Sequence, residues 1–144
     1  MAVHESISGA YAVYLEGMEE ARRSRRSVDG LLGLGGGAGS ERCQDDFVAA
    51  LKVAVETFAA SEPSALDVCD TVSYMLSAAR EHRSSDSAYW MLLASHAMAI
   101  PLIDMLTAQQ ARSLRESYEQ DYPRRERFPV QKKVIKALKK RERI

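Results

Sequence analysis

Cysteine, proline and tryptophan are scarce in this chain, at two, four and one residues among 144. Cys43 and Cys69 belong to no C-x-x-C pair, and a domain of this size needs no staple, so two buried reduced thiols in a cytoplasmic protein are the expectation, with a disulfide between them not implied but left open. No uninterrupted apolar run of membrane length occurs. The most apolar stretch, Ala88 to Leu106, contains His96, Pro101 and Asp104, and so reads as a buried core helix rather than a transmembrane segment. The first residues lack both a basic region and a continuous apolar stretch, so no signal peptide is expected. Alternating apolar and polar runs and hairpin dipeptides are missing as well, which excludes a sheet-based fold. Neither H-E-x-x-H nor G-x-S-x-G is present.

What is present is helical periodicity. Hydrophobic residues at 46% and charged residues at 28% are ordinary globular values and argue against disorder. Ile7, Tyr11, Tyr14, Leu15 and Met18 share one helical face, predicting a helix from about Ala2 to Ser27. The segment Asp29 to Ser40 holds six of the eight glycines, and its backbone entropy predicts a flexible loop over about 29–40, with Ser40 capping the next helix. A second stripe, Cys43, Phe47, Ala50, Leu51, Ala54, Val55 and Phe58, continues to about Ala60. Ser64 and Asp67 open a third helix carrying Val68, Val72, Met75 and Leu76. Ser84, Ser85 and Asp86 mark the next break. The helix after it should be kinked or divided by Pro101. Thr107 and Gln110 form a capping box for a further helix to about Gln120, and Pro129 suits the first position of a last one. The expected fold is all-α: one domain over 1–144, a bundle of five or six mostly antiparallel helices, with a Gly-rich loop after the first and a basic C-terminal helix. Its core should include Phe47, Leu51, Val55, Val72, Leu76, Leu93 and Leu106.

Four features could carry chemistry. The glycines before Ser40 suggest a phosphate cradle, but a Walker loop needs a Lys-Ser/Thr pair where this chain has Ser40-Glu41, and a dinucleotide fingerprint needs a preceding strand. A linker accounts for them better. Glu16 with Glu19, and Asp67 with Asp70, are carboxylate pairs at i,i+3. Their spacing resembles the Mg²⁺-holding pairs of all-α nucleotide pyrophosphohydrolases, and the resemblance stops at the spacing. It would imply metal-dependent nucleotide hydrolysis, while salt bridges and helix capping explain the same residues without it. His96, in an apolar helix near Trp90 and with Asp104 farther along, could be a general base, or simply a core residue with one hydrogen bond.

The fourth feature is charge. Net charge is zero, yet Pro123 to Ile144 carries ten basic residues against Glu126 and Glu142, which makes that segment +8. The other 122 residues hold 18 acids and 10 bases, or −8. Arg124, Arg125, Arg127, Lys132, Lys133, Lys136, Lys139 and Lys140 are thus the candidates for contact with a partner or with nucleic acid. Phe128 is the one aromatic within the run, leaving little on which bases could stack, and no zinc-finger spacing, RNP aromatics or helix-turn-helix appears. The apolar face of this segment is short for binding a membrane surface. The competing expectation is that Val130, Val134 and Leu138 dock on the bundle while the lysines stay in water and face acidic helices. With no convergent nucleophile, base and metal ligands, the sequence favours a non-enzymatic interaction or regulatory protein acting by protein–protein contact or self-association. No catalytic, cofactor-binding or metal-binding residue is assigned. The alternatives are a nucleic-acid-associated protein using the basic helix, and a small-ligand pocket or metal-dependent hydrolase within the bundle.

Overall fold

A computed structural model describes residues 5–26, 36–82 and 86–144. The protein is an all-α bundle, with no strand among the described residues. Its helices are α1 (Glu5–Arg26), α2 (Gly36–Ala60), α3 (Ala65–Ser77), α4 (Asp86–Ala94), α5 (Ile100–Ile103), α6 (Ala108–Asp121) and α7 (Pro129–Glu142). Short 3₁₀ turns lie at Arg80–His82, Ser95–Ala99 and Arg124–Glu126. Because α4, the 3₁₀ turn and α5 follow without a break, they form one rod, and the described residues then make six helices. None is long and apolar enough to cross a membrane. Contacts group the chain into two compact units, Met1–Glu56 and Thr57–Ile144, with α2 continuing through the division.

In the first unit, α1 buries Ile7, Ala10, Tyr11, Tyr14, Met18 and Ala21, and α2 buries Phe47, Leu51, Ala54 and Val55. Phe47 stacks on Tyr14 at 4.5 Å between ring centroids and meets Tyr11 edge-on at 5.2 Å. Burial among these groups pushes the Tyr14 hydroxyl up to about 12. Gly17 allows the close approach of α1 and α2, since a Cβ there would lie 2.8 Å from Cys43 Sγ. The expected loop through Ser40 is shorter at its C-terminal end. Helix α2 begins at Gly36, so Ser40 is an interior position rather than a cap, and the part of the expected loop before Gly36 lies outside the described residues. A glycine costs a helix only about 1 kcal/mol, which packing against a neighbour can offset. A Cβ on Gly39 would lie in ordinary contact with Ala21.

In the second unit, local signals place the helix ends. Ser64 Oγ accepts from the Asp67 N–H at 3.1 Å. The box at α6 is complete: Gln110 N–H donates to Thr107 Oγ1 and Thr107 N–H to Gln110 Oε1, while Gln110 Nε2 donates to the Ala65 carbonyl. Pro101 produces the expected interruption through its missing donor. Its N cannot reach the carbonyl four residues back, that of Ala97, which accepts from the Ile100 N–H instead, a bond of 3₁₀ type. The turn so formed, Ser95–Ala99, packs against α3, α4, α5 and α7 and sits at the centre of the unit's contacts. Val72, Met75, Leu92, Leu93, Leu102, Ile103, Leu106 and Leu138 fill the core around it. All seven core residues expected from the sequence are buried.

Candidate functional site

Helix α7 is docked. Val134, Ile135 and Leu138 are buried, Val130 is half-buried, and α7 pairs extensively with α6. Pro129 starts it as expected, and Gln131, itself buried, accepts from the Phe128 N–H through Oε1 at 2.7 Å. The seam with α6 is charged and closed. Arg115 donates from Nε and Nη2 to the two carboxylate oxygens of Glu142 at 2.7 and 3.0 Å, and from Nη1 to Glu119. That guanidinium holds the Glu142 carboxyl below its ordinary range. Arg141 Nε donates to the Leu106 carbonyl.

The outer flank differs. Lys132, Lys133, Lys136, Lys139 and Lys140 are all exposed, and none forms an ion pair among the described residues. Lys139 borders the same recess as Glu116 of α6 and Glu142, while Glu116 and Glu119 pair with Arg112 and Arg115. Arg124 and Arg125 are exposed, whereas Arg127 is half-buried and its Nε donates to the Tyr122 carbonyl at 3.0 Å. The eight basic candidates thus separate into a structural Arg127 and seven exposed cations. Arg127, Lys132, Lys136 and Lys139 border an open groove of about 590 Å³.

Next to this flank lies a feature hidden in the sequence. Trp90 of α4 meets Phe128, the residue preceding α7, edge-on at 5.0 Å. Both are exposed, at 52% and 42%. They border an open recess of about 420 Å³ with Leu93, Ala97, Val130 and Lys133. The two rings and the recess together leave apolar surface in contact with water. Trp90 and Phe128 come from segments well separated in the chain, and packing of α7 against the 3₁₀ turn that follows α4 brings them together. The sole sequence signal was Phe128 amid arginines and lysines.

The remaining candidates do not assemble. His96 is fully buried, with Nδ1 2.9 Å from the Tyr118 hydroxyl, and burial lowers its imidazole to about 4. Its Nε2 has no hydrogen-bond partner among the described residues, and Asp104 lies exposed without a bond to it. A sealed, neutral imidazole between Tyr118 and Tyr122 is a core group out of reach of a substrate. Trp90 points to Phe128 and Tyr89 rather than to His96. Glu19 is engaged by Arg22 and Arg23, and Asp70 is exposed. Among the described residues no three His, Cys, Asp or Glu side chains are grouped to hold a metal ion. Both cysteines are free thiols. Comparison with protein-family profiles, curated proteins and solved structures finds no match to this chain.

Proposed function

We propose that this is a non-enzymatic helical protein that acts by binding another protein, and that the surface around Trp90 and Phe128 is where it does so. The observation that carries the reading is the exposed edge-on pair itself, beside a recess lined by apolar side chains and one cation. Burying such aromatics at an interface is the usual source of concentrated binding energy, and tryptophan is prominent among the residues that supply it. His96, the candidate general base, is sealed in the core beside Tyr118, which leaves the exposed aromatic pair as the stronger feature.

The test is affinity capture from nuclease-treated cell extract with the full chain, with the Trp90→Ser/Phe128→Ser double variant, and with a Lys132→Glu/Lys139→Glu variant. The protein-binding reading predicts a partner set held by the first and third proteins and lost from the second. A partner set indifferent to Trp90 and Phe128 overturns it.

A second reading, nucleic-acid association, draws on the unpaired cations of α7. Lys132, Lys136, Lys139 and Arg143 follow one another at helical spacing along a single flank, an arrangement that can neutralise successive phosphates. Binding to oligonucleotides whose logarithm falls linearly with the logarithm of salt concentration, lost in the Lys132→Glu/Lys139→Glu variant, is its signature.

A further inference from the structure

The Trp90–Phe128 recess is lined by apolar side chains and one cation. Leu93, Ala97 and Val130 border it with Lys133, and no carboxylate lines it among the described residues. Beyond Lys133, Lys136 and Lys140 follow on α7 three and seven residues on, over about 10 Å of helix at 1.5 Å per residue, and border the groove shared with Arg127 and Lys132. Arg124 and Arg125 are exposed on the turn leading into Phe128. One continuous surface therefore offers an apolar socket at one end and an unneutralised row of cations at the other.

We propose that this surface takes an acidic amphipathic helix of a partner protein, with apolar anchors against Trp90 and Phe128 and carboxylates along Lys133, Lys136 and Lys140. The inference rests on the protein-binding reading above and adds the partner's chemistry. An amphipathic helix repeats its anchors at i, i+4 and i+7, the spacing by which helices seat in hydrophobic grooves, and its opposite flank supplies the complementary charge. Exposed rings beside cations also stack bases, and oligothymidylate is the probe for that outcome. Exposed aromatic side chains can also engage a bilayer, and the vesicles are the probe for that outcome.

Trp90 is the chain's one tryptophan, so its fluorescence reports on the site directly. The probe is a synthetic helical peptide with leucines at i, i+4 and i+7 on one face and glutamates elsewhere. Its comparators are a scrambled peptide of the same composition, a version with lysine for glutamate, oligothymidylate, and vesicles of phosphatidylcholine with phosphatidylserine. The acidic peptide is expected to shift Trp90 emission saturably to shorter wavelength, with the scrambled and lysine versions at least about tenfold weaker. Phe128→Ser and Lys133→Glu should each weaken it about tenfold or more, Lys133→Gln by less, with unchanged circular dichroism. Added salt should weaken the complex of the intact chain more than that of Lys133→Gln. Equal binding of the lysine peptide overturns the acidic partner while leaving a protein-binding surface in place. A response to oligothymidylate or vesicles without one to the acidic peptide overturns both, and silence towards every probe overturns the acidic helix, the capture experiment then deciding the broader reading alone.

Discussion

The two sides of α7 carry similar residues and do different things. Facing α6, Arg141 is tied to the Leu106 carbonyl and Glu142 to the guanidinium of Arg115, above a stripe of buried Val134, Ile135 and Leu138. Facing outward, five lysines have no counter-ion among the described residues, and the helix begins beside two exposed aromatic rings. In composition these are one basic segment. In structure the inner side is buried or paired, and the lysines of the outer side are exposed. A charged segment is therefore divided by which of its groups already have partners, not by its total.

The sharpest way to break this contrast is to remove the helix. Ending the chain after Tyr122 uncovers the apolar stripe, and at about 1.5–3 kcal/mol for each fully buried aliphatic side chain the loss should amount to several kcal/mol, read as a lower urea midpoint. Leu138→Ala alone should cost about 2–5 kcal/mol. An unchanged melt for both would mean that the inner side contributes nothing.

Acid probes the core against which α7 docks. The His96 imidazole stays neutral in the fold down to about 4 but takes a proton near 6.5 when unfolded, so the unfolded chain binds more protons between these values. Stability is then fully present above pH 6.5 and falls as pH drops towards 4, by about 3 kcal/mol from this one group. His96→Gln should lower stability at pH 7 yet lose less of it on acidification. Urea melts at closely spaced pH values measure the difference, and identical slopes for the two proteins would refute the assignment.

The outer side should respond weakly to the same measurement. Trp90→Ser and Phe128→Ser should each change stability by no more than about 1.5 kcal/mol, the size of an aromatic pair contribution. Smaller still, Lys132→Glu, Lys136→Glu or Lys140→Glu should stay within about 0.5 kcal/mol of the parent. A loss of several kcal/mol at any of these positions would show that the outer side is structural too.

The legible parts of this molecule were those whose cause is local. Ser64 and Thr107 cap their helices because a hydroxyl reaches an N–H two or three residues on, and Pro129 opens α7 because its fixed backbone suits a first turn. Pro101 divides its helix for an equally local reason. Periodicity identified the core because a residue facing inward recurs every three or four positions. The start of α2 at Gly36 was not legible, since the intrinsic cost of glycine can be outweighed by packing that a sequence window does not contain. Nor were the Arg115–Glu142 pair and the meeting of Trp90 with Phe128, because each joins residues on different elements. The basic segment was found as a charge excess, but the separation of Arg127 and Arg141 from the lysines depended on carbonyls that only the fold brings near.

Trp90 lies open to solvent and shares its recess with Lys133, which places it in a locally positive field. Quenching of its fluorescence by iodide and by caesium tests both parts at once. The account predicts that iodide quenches the free protein efficiently and more strongly than caesium, with the gap narrowing in added salt and in Lys133→Glu. A tryptophan shielded from both ions, or one quenched better by caesium, would contradict it.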